Sequence, residues 1–237
     1  MDTIIKWNDL LLTWNSKYIR TAAGGGGGGG GWPTSGLVAR WPLQSSLVDT
    51  VAGNNFAVNT GSVSYAAGLV GNALSLTNTD SVWLNANPTI YNTWLGVNSF
   101  TFAYWMKIIS PGPYNQLSPA YVSDAGTYDY FPLEGPPRLS LARNGGSDFT
   151  GSGISDLYQN WRFMCFNYTY PNLTLYSNNV QIASLAKTWG ASGGSLNINP
   201  GGNNNLRGNL LVQFAYLYDH ELSSGDKTIL YNSGTPI

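Results

Sequence analysis

The sequence predicts an all-β protein: a two-sheet antiparallel sandwich preceded by a short N-terminal arm on a polyglycine connector. Three observations predict it. From Gly36 onward, apolar and alternating segments are separated by clusters of Gly, Asn, Ser and Pro, which is how strands joined by turns read. Aromatic residues are abundant, with 9 Trp and 15 Tyr, while charged residues make up only 10%, a balance that favours half-buried strands over amphipathic surface helices. Gly24 to Gly31 is an unbroken run of eight glycines. Such a run has no side chains to pack and the highest backbone entropy to lose, so it reads as a tether rather than as core.

The arm is residues 1–23. It holds a small repeat in which Trp7-Asn8-Asp9-Leu10-Leu11-Leu12-Thr13 is followed by Trp14-Asn15-Ser16-Lys17-Tyr18-Ile19-Arg20. Each copy gives an aromatic, a turn-forming pair and a short apolar segment, which favours small β-hairpin steps. A helix over Ile4 to Leu12 is the alternative, given three consecutive leucines. The arm is too short to bury Trp7, Leu10, Leu12, Trp14, Tyr18 and Ile19 by itself. These residues are therefore candidates for anchoring to a partner or for self-association, a trimer included; the other reading is a strand that folds back on the body. The connector is residues 24–35, and its glycines, fully extended, reach about 26–29 Å.

The body is residues 36–237. Ser99 to Met106 places Phe100, Phe102, Tyr104 and Met106 on one face of a strand. Trp161 to Tyr168 is apolar on both faces and reads as a central strand containing the lone cysteine, Cys165, as a buried core residue. Leu173–Tyr176 and Val180–Ala183 flank Ser177-Asn178-Asn179, a hairpin in which Asn can take positive φ. Leu210 to Tyr218 reads as another strand with Leu210, Val212, Phe214, Tyr216 and Tyr218 on one side. Ser223-Ser224-Gly225-Asp226 is a capping-box pattern that starts a short helix through Ile229 and Leu230.

Several of these segments resemble, in order, the laminin-G-like branch of the concanavalin A-like jelly rolls. They are Gly36 to Leu43 with Asp49 and Gly53-Asn54-Asn55, Gly68 to Leu76, Phe100 to Lys107, Trp161 with Leu175-Tyr176, and Gly208 to Leu210 with Tyr216 to Tyr218 and Leu222 to Tyr231. The likeness covers about residues 36–234. It implies a jelly-roll sandwich of a kind that usually binds glycans or proteins. The chain departs from the family's pattern at Leu210-Leu211-Val212, where an acid often follows the final glycine, and at Asn178-Asn179, where Asp-Gly is common. The Trp-Asn repeat of the arm is similar to repeats near the ends of phage tail and fibre proteins.

Composition restricts function further. A formal net charge of −1 provides no basic footprint for nucleic acid and no polybasic patch for lipid. No window nears the roughly 18 apolar residues of a membrane span. The opening residues lack the basic and apolar regions of a secretory signal. A β-rich chain without disulfides or leader, yet suited to an exterior surface, fits a virion, with an extracellular location as the alternative; its expected partners are other virion proteins.

Catalysis is not expected. Sandwich glycanases need clustered carboxylates, and the only glutamates are Glu134 and Glu221. His220 is the only histidine, between Asp219 and Glu221, and three consecutive residues at a strand exit do not converge on one point. The glycine run is not followed by the Lys-Ser/Thr of a phosphate loop, and no nucleophile elbow occurs. No cofactor is expected, although Asp49 with Asn54 and Asn55 forms an oxygen-rich loop that could hold calcium or simply stabilise its own turn. Sugar binding needs flat aromatic faces beside amides and carboxylates. Tyr114, Tyr121, Asp124, Tyr128, Asp129 and Tyr130 supply that mixture in the insertion between Pro111 and Pro137, and Tyr91, Trp94 and Trp189 supply it in other loops. The competing reading is that these aromatics cover the sandwich ends or fill a subunit interface. Asn167-Tyr168-Thr169 and Asn172-Leu173-Thr174 are formal glycosylation sequons, expected to serve strand and turn instead.

Overall fold

A computed structural model describes residues 31–84, 99–110, 158–186 and 208–232, together with strand backbone at 4–7, 10–13, 120–124, 127–130, 138–143, 150–153 and 195–198. The chain divides into two compact units, Met1–Gly30 and Gly31–Ile237. Among the described residues no helix is long and apolar enough to cross a membrane.

In the first unit, β1 (Ile4–Trp7) and β2 (Leu10–Thr13) form an antiparallel hairpin. The helical alternative for Ile4 to Leu12 therefore does not hold. Register pairs Trp7 with Leu10 and Ile5 with Leu12. Because direct partners share a face and residues two apart share a face, Ile5, Trp7, Leu10 and Leu12 fall on one side of the hairpin. Trp14, Tyr18 and Ile19 lie outside the described residues.

The second unit contains two antiparallel sheets. In chain order its strands are β3 (Leu37–Trp41), β4 (Phe56–Thr60), β5 (Ser64–Ala67), β6 (Asn72–Leu76), β7 (Ser81–Leu84), β8 (Phe100–Ser110), β9 (Ala120–Asp124), β10 (Thr127–Tyr130), β11 (Arg138–Arg143), β12 (Thr150–Gly153), β13 (Trp161–Thr169), β14 (Asn172–Ser177), β15 (Val180–Ala186), β16 (Ser195–Ile198) and β17 (Asn209–Tyr218). Among the described residues the helix is α1 (Ser224–Tyr231), which follows β17. The first sheet runs β15-β14-β13-β8-β17-β6-β5, with β3 also paired to β17; the second runs β12-β11-β10-β9-β16-β7-β4. This is the two-sheet jelly-roll sandwich that the sequence predicts.

The core lies between the sheets. Phe100, Phe102, Tyr104, Met106 and Ile108 from β8 meet Val82 and Leu84 from β7 and Leu196 and Ile198 from β16 in one buried cluster. The predicted face of β8 is thus the inter-sheet face. The β13 strand is buried on both sides, as its sequence implies: Met164, Phe166 and Tyr168 join this core, whereas Phe163 and Cys165 join a second cluster on the far side of the sheet. Burial pushes the Cys165 thiol up to about 12, which leaves it inert as a nucleophile at neutral pH.

That second cluster is closed by α1 and by the segment leading into β3. Leu230 and Tyr231 cover Trp105 and Phe163, with Tyr231 stacked 6.0 Å from Trp105. Ser223 caps the helix, its hydroxyl accepting from the Asp226 amide at 3.1 Å, as the capping box predicts. Trp32 and Pro33, assigned by sequence to the connector, pack on the body. The Arg40 guanidinium sits 3.9 Å from the Trp32 ring centre, and the Tyr218 hydroxyl donates to the Pro33 carbonyl at 3.0 Å.

The β14–β15 hairpin turns through Asn178 (φ 49°) and Asn179 (φ 65°), the left-handed pair expected of a tight two-residue loop. The reading of β17 needs correction. Its residues do not alternate uniformly: Leu210 and Val212 face the inter-sheet core, but beyond them Ala215 and Leu217 do so, while Phe214, Tyr216 and Tyr218 face the α1 side. A bulge between Gln213 and Tyr216, with Phe214 at φ 49°, causes the switch. One extra residue inverts the facing of everything after it. At the same point β17 changes partner along one edge, from β6 (Leu210–Val212) to β3 (Ala215–Tyr218).

Candidate functional site

The sequence-predicted sugar residues fall into three groups. Tyr91, Trp94, Tyr114 and Trp189 lie outside the described residues. Tyr121 and Asp124 lie on β9, and Tyr128, Asp129 and Tyr130 lie on β10. The insertion is therefore not a free loop; part of it is a hairpin built into the second sheet.

Register separates the aromatics of this hairpin from its carboxylates. Leu84 pairs with Leu196, Leu196 with Val122, and Val122 with Asp129. Leu84 and Leu196 are buried in the core, so this row is the inner face. One position along, Ala57 pairs with Trp83, Trp83 with Asn197, Asn197 with Tyr121, and Tyr121 with Tyr130. That row is on the opposite, outer face. Tyr128 shares the outer face, two positions from Tyr130 and opposite Ser123, which is in turn opposite Ser195. Asp124 and Asp129 occupy the inner-face parity. The mixture of Tyr and Asp expected on one surface is thus split between the two faces, because adjacent positions in a strand belong to opposite faces.

Trp83 and Asn197 were not singled out by sequence. Trp83 sits in Ser-Val-Trp-Leu, which by itself reads as a buried strand, and the structure leaves its side chain partly exposed. Only the ladder through β16 reveals that it shares a row with Tyr121.

The Asp49 loop has a definite geometry. Asp49 Oδ1 accepts from the amides of Arg40 (2.8 Å) and Val51 (2.9 Å), and Oδ2 accepts from Ala52 (3.0 Å) and Asn54 (2.9 Å). Asn55 accepts from the Asp49 amide, and the Trp41 indole donates to the Asn54 carbonyl at 2.6 Å. Four backbone donors fill the carboxylate, which acts as the organiser of its own turn. Among the described residues, no three His, Cys, Asp or Glu side chains come together as a metal-binding group.

Asp219 and His220 pair with each other, while Glu221 turns to other partners. His220 Nδ1 lies 2.9 Å from Asp219 Oδ1 on an exposed edge. Glu221 instead accepts from the Asn167 side-chain amide at 3.2 Å and from the Thr169 hydroxyl. Asn167 is 1% exposed, and its amide also donates to the Leu222 carbonyl. It fastens the β17–α1 connection to β13, a strand role rather than that of a glycan acceptor. Glu134 lies outside the described residues.

No family model and no curated protein matches the sequence. Solved structures do match the fold. One is domain 4 of AbnA, a GH43 extracellular arabinanase from Geobacillus stearothermophilus, in complex with arabinotriose. It superposes with a TM-score of 0.64 at 16% identity over 82% of this chain and 98% of that one. The binding domain of Paraclostridial Mosquitocidal Protein 1 matches at 0.60 and 17%, and the botulinum neurotoxin serotype C1 binding domain at 0.58 and 17%. This chain spans about half the length of those two binding domains, 52% and 53%. At these identities the likeness establishes the fold alone: an all-β jelly-roll sandwich.

Proposed function

We propose that the protein is a non-enzymatic glycan-binding module, with a lectin-like sandwich displayed on a tether and an N-terminal arm that anchors it to a larger assembly. One observation supports this most strongly. The sandwich matches nearly the whole of a domain whose structure holds arabinotriose. The carboxylate pattern agrees with binding without cleavage, since Glu221 is engaged with Asn167 and Thr169.

The anchoring role rests on the hairpin. A two-stranded ribbon of this size is marginal in water on its own, and Ile5, Trp7, Leu10 and Leu12 share one face. Burying that face against a partner, or against copies of itself in a trimer, would remove it from solvent. The assembly that fits a tethered attachment module best is a virus particle, such as a bacteriophage tail, fibre or capsid decoration, whose glycan target would be a host surface. No metal or cofactor is part of this function.

A glycan microarray probed with the full chain tests the reading. Binding to a defined subset of glycans supports it. Absence of binding across the array, with the arm still driving oligomerisation, would instead favour an assembly protein without glycan recognition.

A further inference from the structure

The outer face of the second sheet carries an ordered chemistry that goes beyond a general lectin-like surface. Across four adjacent strands, Trp83, Asn197, Tyr121 and Tyr130 occupy consecutive positions of one row. Adjacent strands lie about 4.8 Å apart, so the row spans about 14 Å perpendicular to the strands. It combines three aromatic positions with one amide, the two things a sugar ring asks for: an apolar face for its C–H groups and a hydrogen-bonding group for its hydroxyls.

A second row reinforces the first. Ser195, Ser123 and Tyr128 sit two positions along their strands on the same face, adding two hydroxyls and a third tyrosine. Neither row contains an ionic residue. Asp124 and Asp129 have inner-face parity, and Arg143, opposite Asp129, shares it. On β11 the outer-face charge is Arg138, four positions from Ala142, about 13 Å away along the strand.

Resting on the glycan-binding reading above, we propose that this outer face is the ligand platform. Its ligand is an extended, neutral oligosaccharide lying across β7, β16, β9 and β10, not a sialylated or otherwise anionic glycan. A carboxylated sugar would find no cation along the row, whereas neutral rings find an aromatic or an amide at each strand. The partly exposed Trp83 is the anchor at one end, and Tyr130 and Tyr128 form the other.

The test uses the full-length protein and titrates arabinotriose, cellotriose, maltotriose and sialyllactose by calorimetry. The platform predicts binding of at least one neutral trisaccharide, and weaker or absent binding of sialyllactose. Trp83→Ala and Tyr130→Ala should each lower affinity for that trisaccharide about tenfold, while Tyr170→Ala, at an exposed turn of the other sheet, should leave it unchanged. If Trp83→Ala fails to fold, judged by circular dichroism, Asn197→Ala provides the same reading on the same row.

The outcomes separate the two claims. No binding of any sugar at millimolar concentration overturns the glycan-binding reading itself. Binding that survives Trp83→Ala, Tyr130→Ala and Asn197→Ala overturns the platform and leaves the reading standing. Preference for sialyllactose overturns the neutral class.

Discussion

Gln213 grips the backbone of Val70 from both ends: its Oε1 accepts from the Val70 amide at 3.3 Å while its Nε2 donates to the Val70 carbonyl. The same side chain accepts from Leu69 at 3.1 Å and donates to Asn72 at 2.6 Å. A single buried amide therefore satisfies the β5–β6 turn and sits at the bulge where β17 inverts its facing. Gln213→Ala should strand those backbone groups and cost about 2–4 kcal/mol. A lowered urea midpoint with an unchanged slope would show it.

Asp80 supplies a pH-dependent contribution. Burial raises its pKa, but hydrogen bonds from the Thr77 hydroxyl and amide, the Ser62 amide and Thr79 outweigh burial and hold the carboxyl below its ordinary 3.8. A folded-state pKa below the unfolded one contributes stability that is fully present above about pH 4 and is lost as pH falls through the folded value. Asp80→Asn should cost about 1–2 kcal/mol at neutral pH. The stabilities of the two proteins, followed by denaturation from pH 7 to pH 2, should converge toward the acid end.

Much of this architecture is legible in the sequence, and the exceptions have a common cause. The faces of β8, the burial of β13, the Asn178-Asn179 turn and the Ser223 cap all depend on residues within a few positions of each other. The facing of Phe214, Tyr216 and Tyr218 depends on a bulge fixed by Gln213 and a turn some 140 residues earlier, which no local period reveals. The site divides the same way. Tyr121, Tyr128 and Tyr130 are visible as aromatics, but their separation from Asp124 and Asp129, and their alignment with Trp83 and Asn197, exist only once strands are paired. Trp32 escaped because a glycine run beside it makes it look like linker, whereas Arg40 draws it onto the sheet.

Gly36 is required by geometry at the start of the body. It has φ +63°, and a Cβ there would lie 2.2 Å from Asp219 Oδ1 and 2.4 Å from His220 Nδ1. Gly36→Ala combines left-handed strain with a clash that two side chains must move to relieve. A loss of about 1–3 kcal/mol is expected, measurable as a fall in melting temperature. His220→Ala in the same background should recover part of it.

The Asp49 loop makes a prediction about ions. With four backbone amides on the carboxylate, stability should be independent of calcium: neither added calcium nor a chelator should move the melting temperature, since an ion bound to the native state would raise it. Asp49→Ala should cost about 3 kcal/mol by leaving several amides unpaired. A calcium-dependent rise in melting temperature would return this loop to the metal-binding reading.

The central claim is that this sandwich binds sugar without cleaving it. Saturation-transfer NMR of the full chain with neutral oligosaccharides reads both properties in one sample. The account predicts transfer onto the ring C–H protons that face aromatic side chains, with the anomeric signals unchanged over time. No transfer to any sugar, or the growth of new reducing-end signals, would contradict it.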